Sequence, residues 1–356
     1  MKDLIISVAQ TLFTKNTNFC LYRFPYEKEL KLALDKDFPL ENKSSETFWV
    51  APFCTQSSAQ EIFLQVLDAA YLTEDFLQAC KQIPTQSPFP NHALPKEISK
   101  DAYFEKINGF LRDIRSKELD KVILSRVIIQ DKPAGFEPLT CLKRLIDSYP
   151  NTFVYFLFHR EAGLWMGASA ELLLQKKGAQ VAIMSLAGTQ SRNSKGEYFW
   201  RPKELEEHQM VAKHIEDTFL KHHYSLQSKN GPLTIESGQV AHLKTNYIFE
   251  EHESLPMRDL LNELHPTPAI GGLPARKGLS YILEHEGYDR KYYCGFLGET
   301  NFNTSASLYI NLRCMQINQE QIAAYVGGGI TAASDPQEEW EETILKSKTI
   351  LDKINA

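Results

Sequence analysis

Residues 152–186, TFVYFLFHREAGLWMGASAELLLQKKGAQVAIMSL, carry four strand-like runs in succession: Thr152–His159, Gly163–Ala168, Leu172–Lys176 and Val181–Leu186. Aromatic and branched apolar residues fill these runs, and glycine or charged residues punctuate them. Strands that follow one another in blocks favour an α+β fold with antiparallel sheets over a strict βαβ alternation. Working outward, Lys121–Gln130 (KVILSRVIIQ) precedes the block as another strand, and Gly238–Asn246, Ser305–Gln316 and Gln321–Val326 follow it. Helical patterns mark Lys100–Ser116, with Tyr103, Ile107, Phe110, Leu111 and Ile114 on one stripe. Further helices are expected over Pro202–Tyr224, near Met257–His265 and Ala275–Glu286, and from Pro336 to about Ile354. Residues 1–95 are less regular, with short strand candidates at Phe19–Phe24 and Thr47–Phe53 and four prolines within Pro84–Pro95. No repeat or linker separates two cores, so residues 1–356 are expected to form a single domain whose motifs lie in 100–350.

Hydrophobic residues make up 43% of the chain and charged residues 24%, as in an ordinary soluble globular protein. A formal net charge of -6 argues against nucleic acid or an anionic membrane as the main partner. Six scattered cysteines with no C-x-x-C pair point to reduced thiols, not to a disulfide framework or a zinc site. The apolar part of MKDLIISVAQTLFTKN is too short and polar for a secretory signal, and no run approaches a membrane span. The expectation is a soluble cytoplasmic protein.

Candidate chemistry concentrates at Tyr325–Lys348, YVGGGITAASDPQEEWEETILKSK. Gly327, Gly328 and Gly329 permit close approach of a ligand to backbone N–H groups. Asp335 and Pro336 read as an N-cap and first helical residue, which places Glu339, Glu342 and Lys346 on one helix face. The bland reading is a solvated surface helix with an i,i+4 pair between Glu342 and Lys346. Glu204 and Glu207 share a face of another helix, and two such helices could build an oxygen-ligand site suited to Mg²⁺. Lys121 opens an apolar strand; most such lysines reach to water, but one drawn into a half-buried strand can serve as a base. Glu171, in the small-residue turn GASAE, is either an exposed turn residue or a desolvated carboxyl able to act as an acid. Arg313 within LYINLRC is a cation in an apolar strand and needs a carboxylate partner or an anionic ligand.

In order along the chain, KVILSR, GASAE, LAGT, KELEEH, HLKT, HPTPAIGGLP, YDRKYYCGFLG, INLRC, YVGGGI and EEWEETILK resemble the motifs of the chorismate-utilising enzymes. The resemblance covers roughly residues 100 to 350 and implies two stacked, mainly antiparallel β-sheets flanked by helices, the fold of anthranilate synthase component I. It implies Mg²⁺ in the cleft between the sheets, bound by Glu207 and Glu342 directly and with Glu204 and Glu339 nearby through water. Arg313, Lys346 and the backbone around Gly327 and Gly328 would then hold the carboxylates of chorismate. His242, Gly188, Thr189, Ala269 and Tyr293 match positions lining the pocket. Lys121 matches the water-activating lysine of isochorismate and salicylate synthases, with Glu171 as the acid opposite. Ala187 stands where aminodeoxychorismate synthases carry a nucleophilic lysine, and Ala269 is similar to isochorismate synthases. Two departures are Ala170 for the usual proline of A-S-P-E and Gln190 for a common arginine. Together these residues imply a Mg²⁺-dependent isochorismate synthase of the menaquinone or siderophore type, acting without a glutaminase partner as a monomer or weak homodimer. The rivals are a salicylate synthase, which goes on to eliminate pyruvate, and a non-catalytic chorismate-binding protein on the same fold.

Overall fold

The computed structural model describes residues 2–38, 44–191, 196–237, 240–253 and 255–354. The chain begins with α1 (Lys2–Thr14), β1 (Phe19–Arg23), β2 (Lys31–Leu34), β3 (Thr47–Ala51), β4 (Ile62–Val66) and α2 (Glu74–Gln82). It continues through α3 (Lys100–Arg115), β5 (Lys121–Asp131), α4 (Pro138–Ser148), β6 (Phe153–His159), β7 (Gly163–Ser169) and β8 (Leu172–Lys177). Next are β9 (Gln180–Ser191), α5 (Pro202–Lys221), β10 (Tyr224–Ser237), β11 (Val240–Glu251), α6 (Met257–Leu264) and β12 (Gly272–Leu273). The last elements are α7 (Ala275–His285), β13 (Phe296–Thr300), β14 (Ser305–Ile310), β15 (Cys314–Ile317), β16 (Gln321–Thr331) and α8 (Pro336–Leu351).

Among the described residues every strand pairing is antiparallel, in the order β10-β11-β9-β8-β14-β13-β3-β4-β2-β1-β6-β7-β15-β16-β5-β12. In its middle the ladder narrows between β2 and β4, where only Ala33 with Val66 and Leu34 with Gln65 pair. Around that hinge it folds over. Tyr22 of β1 lies 4.4 Å from Phe48 of β3, and Phe153 of β6 stacks on Tyr309 of β14 at 4.7 Å, although several strands separate each pair in the ladder. The two stacked sheets expected from sequence are therefore two layers of one continuous ladder, and the less regular first 95 residues supply the strands at its middle. Apolar side chains between the layers form one buried cluster, and a second lies under α1, α2 and α4.

Three differences from the sequence reading have physical causes. The run Ser305–Gln316 is two strands, because Arg313 takes a left-handed φ of 47° and the chain crosses from β8 and β13 to β7 and β16. α4 was masked in the sequence by the Pro- and Gly-rich stretch 132–138 at its start, which reads as a loop, yet it buries Leu139, Leu142, Leu145 and Ile146 at helical spacing. β10 leaves no strand signal in the sequence because it is an edge strand whose residues are largely exposed and polar. The start of the run at Gly238 lies outside the described residues, and the strand there is β11.

β12 covers β5 only at Lys121 and Val122. Beyond them the free edge of β5 is closed by side chains. Glu286 accepts from the Ser125 N–H and hydroxyl, both at 2.6 Å, and binds Arg290 through Nε at 2.6 Å and Nη2 at 2.7 Å. Arg290 donates onward to Ile123 O and to Ile270 O. A buried pair made this well is a substitute for a strand, and loss of one partner leaves an uncompensated charge. Glu286→Ala is expected to cost roughly 3–5 kcal/mol of stability in a urea unfolding titration, and Glu286→Gln distinctly less.

Candidate active site

A cleft with about 820 Å³ of space continuous with solvent lies where β9 and β11 of one layer face β16 of the other. Glu171, Gly188, Thr189, His242, Ala269 and Tyr293 all line it. Arg313, Gly327, Gly328, Lys346, Glu207 and Glu342 line it as well. Lys121, Glu204 and Glu339 stand behind its wall. Residues read from motifs spread over some two hundred positions thus converge on one space.

Lys121 is fully buried at the first position of β5. Its Nζ lies 2.9 Å from Glu207 Oε1, but the contact is off-axis and the nitrogen has no partner in hydrogen-bonding geometry. Glu171 follows β7 and is 4% exposed. Burial pushes its carboxyl up to about 8, and it does so against the opposing pull of Lys121, Lys346 and Arg313. Glu171 is therefore a protonated acid at neutral pH.

The cationic side of the cleft is built around Arg313. Its Nη2 donates to His242 Nε2 at 3.1 Å, while its buried Nη1 has no partner. Arginine has no acceptor, so His242 Nε2 must carry the lone pair. The proton then sits on His242 Nδ1, 3.2 Å from Gly188 O and 3.2 Å from Thr189 Oγ1. Burial, with Arg313 and Lys346 nearby, pulls the His242 pKa well down, which fits the neutral ring. Gly188 bends the backbone at φ 77°, and a side chain there would press on Glu204. An orphaned guanidinium N–H facing a cleft is a ready anion donor.

The glycine triplet works through strand register. Ser125 N–H is bonded to Glu286 and Ile123 N–H to Gly271 O, so both point away from β16. Gly327 and Gly329 lie opposite Ser125 and Ile123, and their N–H and C=O groups must point away from β5. β15 pairs with β16 only as far as Ala324, which leaves those outward amides without a strand partner. The amide of Gly328 belongs to the ladder. The open backbone expected at Gly327 and Gly328 is thus at Gly327 and Gly329. Lys346 donates to Gly327 O at 2.8 Å and pairs with Glu342 Oε1 at 2.6 Å, so the ordinary i,i+4 pair is present within the cleft wall. A Cβ at position 329 would overlap Glu207 and the Lys121 side chain.

Each carboxylate of the expected metal set faces a cation. Glu207 meets Lys121 and Glu342 meets Lys346, as above. Glu339, 1% exposed, takes a 2.6 Å bond from Lys203, and burial beside Glu342 pushes its carboxyl up to about 7. Glu204 is saturated by Arg201, with its N–H at 2.9 Å and Nη2 at 2.8 Å, and its pKa is lowered. Burial alone would raise that pKa, but the bonds from Arg201 and Gln190 outweigh it. No group of three or more His, Cys, Asp or Glu among the described residues is arranged to hold a metal. Mg²⁺, however, keeps several waters and needs only one or two protein carboxylates plus substrate oxygens. Glu207 and Glu342 line the cleft and fit that requirement if Lys121 and Lys346 release them, whereas Glu204 and Glu339 are held behind its wall by Arg201 and Lys203. Lys203 and Arg201 were missed by the sequence reading. Only Arg201, three residues before Glu204, left a local signal.

A family model described as chorismate binding enzyme matches residues 35–355. Isochorismate synthase MenF of Bacillus subtilis is 29% identical over 301 residues, covering 82% of this chain and 62% of that protein. Isochorismate synthase EntC of Escherichia coli K12 is 28% identical over 242 residues, covering 66% of this chain and 62% of that protein. The chain thus spans less than two thirds of the length of these relatives. The menaquinone-specific isochorismate synthase MenF of Escherichia coli superposes with a TM-score of 0.74 at 18% identity, over 98% of this chain and 91% of that one. Anthranilate synthase component I of Streptococcus pneumoniae gives 0.68 at 18% identity, over 93% and 89%. The fold is shared by both. No helix among the described residues is long and apolar enough to cross a membrane.

The raised Glu171 pKa has a sign that can be measured. The folded state holds this proton more tightly than the unfolded chain, so its stabilising effect is full below the ordinary carboxyl range. It is lost as pH rises through about 8. Glu171→Gln should flatten that loss in unfolding titrations from pH 5 to 9, and carbon-13 spectra should lose one carboxyl that titrates near 8. A wild-type protein with no such carboxyl would contradict the burial argument.

Proposed function

Because this chain belongs to the chorismate-binding enzymes, we propose that it converts chorismate to isochorismate in a Mg²⁺-dependent reaction. The observation that carries the reading is a buried, protonated Glu171 in the wall of a cation-lined cleft, together with the buried Lys121 that stands directly behind that wall at Glu207. Binding of a dicarboxylate alone would require neither group.

Arg313 Nη1 and the outward amides of Gly327 and Gly329 receive carboxylate oxygens of the substrate, and His242 holds Arg313 in place. Lys121 takes a proton from the water whose oxygen bonds to C2. Glu171 gives its proton to the C4 hydroxyl, which leaves as water while the ring double bonds shift. One water enters and one departs, so the overall change is an isomerisation. The two groups are suited to opposite proton transfers, because burial keeps Glu171 protonated, while Lys121, once freed of Glu207 and in its neutral form, has a lone pair for a proton of the water. Lys121 lies one carboxylate behind the cleft wall, so the role requires Glu207 to give up its ion pair. Glu207 and Glu342 would hold Mg²⁺, which when bound supplies positive charge to neutralise the ring carboxylate. Ala187 and Ala269 both line the cleft and bring no nucleophile or hydroxyl to it.

Incubation with chorismate and Mg²⁺, followed by chromatography, should yield isochorismate without pyruvate, and chelation should stop the reaction. Pyruvate release would instead indicate a salicylate synthase. Lys121→Ala should lower kcat by about 10²–10⁴ while chorismate still binds in equilibrium titration; turnover at the wild-type rate would remove Lys121 from the mechanism. Glu342→Gln should raise the Mg²⁺ concentration needed for half-maximal rate by at least about tenfold, about 1.4 kcal/mol.

A further inference from the structure

Two residues lining the cleft are held in a backbone conformation that side chains rarely adopt. Arg313 has φ 47° and Cys294 has φ 60°. Such residues persist only where the surroundings over-determine them, and they gather at functional sites. Both sites of strain are tied to Asn311, which the motif-based reading did not single out.

Asn311 is 2% exposed, and all its polar groups are used. Its C=O accepts from Cys294 N–H at 3.0 Å, and its N–H donates to Gly295 O at 2.7 Å. Its side-chain Nδ2 donates to Tyr292 O at 2.9 Å, and Oδ1 accepts from Tyr155 O–H at 2.7 Å. These bonds bracket Tyr293, another cleft residue, on both sides. Tyr155 is fully buried on β6, and its register partner Gly167 lies next to Ala168, whose N–H binds Arg313 O at 3.1 Å. A glycine is needed at 167 because a Cβ there would meet Tyr155, Cys314 and Arg313 O. Tyr155 and Asn311 therefore join three segments: the β6–β7 layer, the wall at 292–295, and the crossover that ends in Arg313.

We propose that Asn311, anchored by Tyr155, is a positioning residue for the substrate anion, holding Arg313 and Tyr293 at the separation that the bound carboxylates require. The inference rests on the reading of Arg313 as a carboxylate holder. It concerns binding and not proton transfer, since neither Asn311 nor Tyr155 lines the cleft. The backbone bonds of Asn311 would survive a change of side chain; the links to Tyr292 and Tyr155 would not.

The test is a double-mutant cycle in the whole 356-residue chain with chorismate and Mg²⁺. Asn311→Leu, close in volume, should raise KM about tenfold with kcat within about threefold, the effect of losing a hydrogen bond or two. Tyr155→Phe removes the same anchor from the other side and should raise KM in the same direction; it serves alone if Asn311→Leu does not fold. In an Arg313→Ala background, Asn311→Leu should produce little further rise in KM, because neighbours acting through one group are non-additive. Lower thermal stability with unchanged KM, or a full tenfold effect retained without Arg313, would overturn the proposal. Wild-type protein that neither turns over nor binds chorismate sinks the function reading and this inference together, whereas active wild type with unaffected variants sinks only the inference.

Discussion

The pairing of β5 with β16 governs the rest of the site. The two strands run together from Lys121 opposite Thr331 to Asp131 opposite Gln321 without a register shift. Side chains alternate and outward amides alternate with them. One register therefore decides that Gly327 and Gly329 open their backbone to the cleft and that Lys121 is buried behind its wall, against Glu207. A slip of one residue would send those amides into the ladder and turn the Lys121 side chain to the other face. The register is protected on the far side by the Glu286–Arg290 pair, which occupies the edge that β12 leaves free. The absence of side chains at 328 and 329 then lets carboxylates from α5 and α8 reach this backbone.

Charge in the cleft is organised by burial more than by counting ions. Three lysines, Lys121, Lys203 and Lys346, each face one of Glu207, Glu339 and Glu342. Those pairs leave Arg313 Nη1 as an unpaired buried donor, and Glu171 as the acid on which desolvation outweighs nearby cations. A carboxyl in that position remains neutral because removing its charged form from water costs more than Coulomb attraction returns. Anion capture and acid chemistry can then share one small space.

Much of this was legible in the residues. The start of α8 was, because Asp335 and Pro336 form a local cap: Asp335 accepts from the Gln337 and Glu338 amides at 2.9 and 3.0 Å. The shared faces of Glu204 with Glu207 and of Glu339 with Glu342 follow from helix period alone. Arg313 was legible as an unusual cation but not as a chain crossover, since a left-handed arginine leaves no compositional trace. The partners of the carboxylates were illegible for a different reason. Lys203 lies four residues before Glu207, which suggests a helix pair, yet it bonds Glu339 on α8.

What the sequence by itself determined is the inventory and its local order: strand blocks, capped helices, a glycine triplet, and carboxylates at helical spacing, with motifs that mark the chorismate-binding family. These depend on residues a few positions apart, whose geometry the backbone sets directly. Only the tertiary structure decided that the two sheets are one folded ladder, that Gly329 rather than Gly328 opens its amide, and that Glu171 keeps its proton. Each of those depends on neighbours far away in the chain, because hydrogen-bond register and desolvation are properties of what packs against a group and not of the group's place in the sequence.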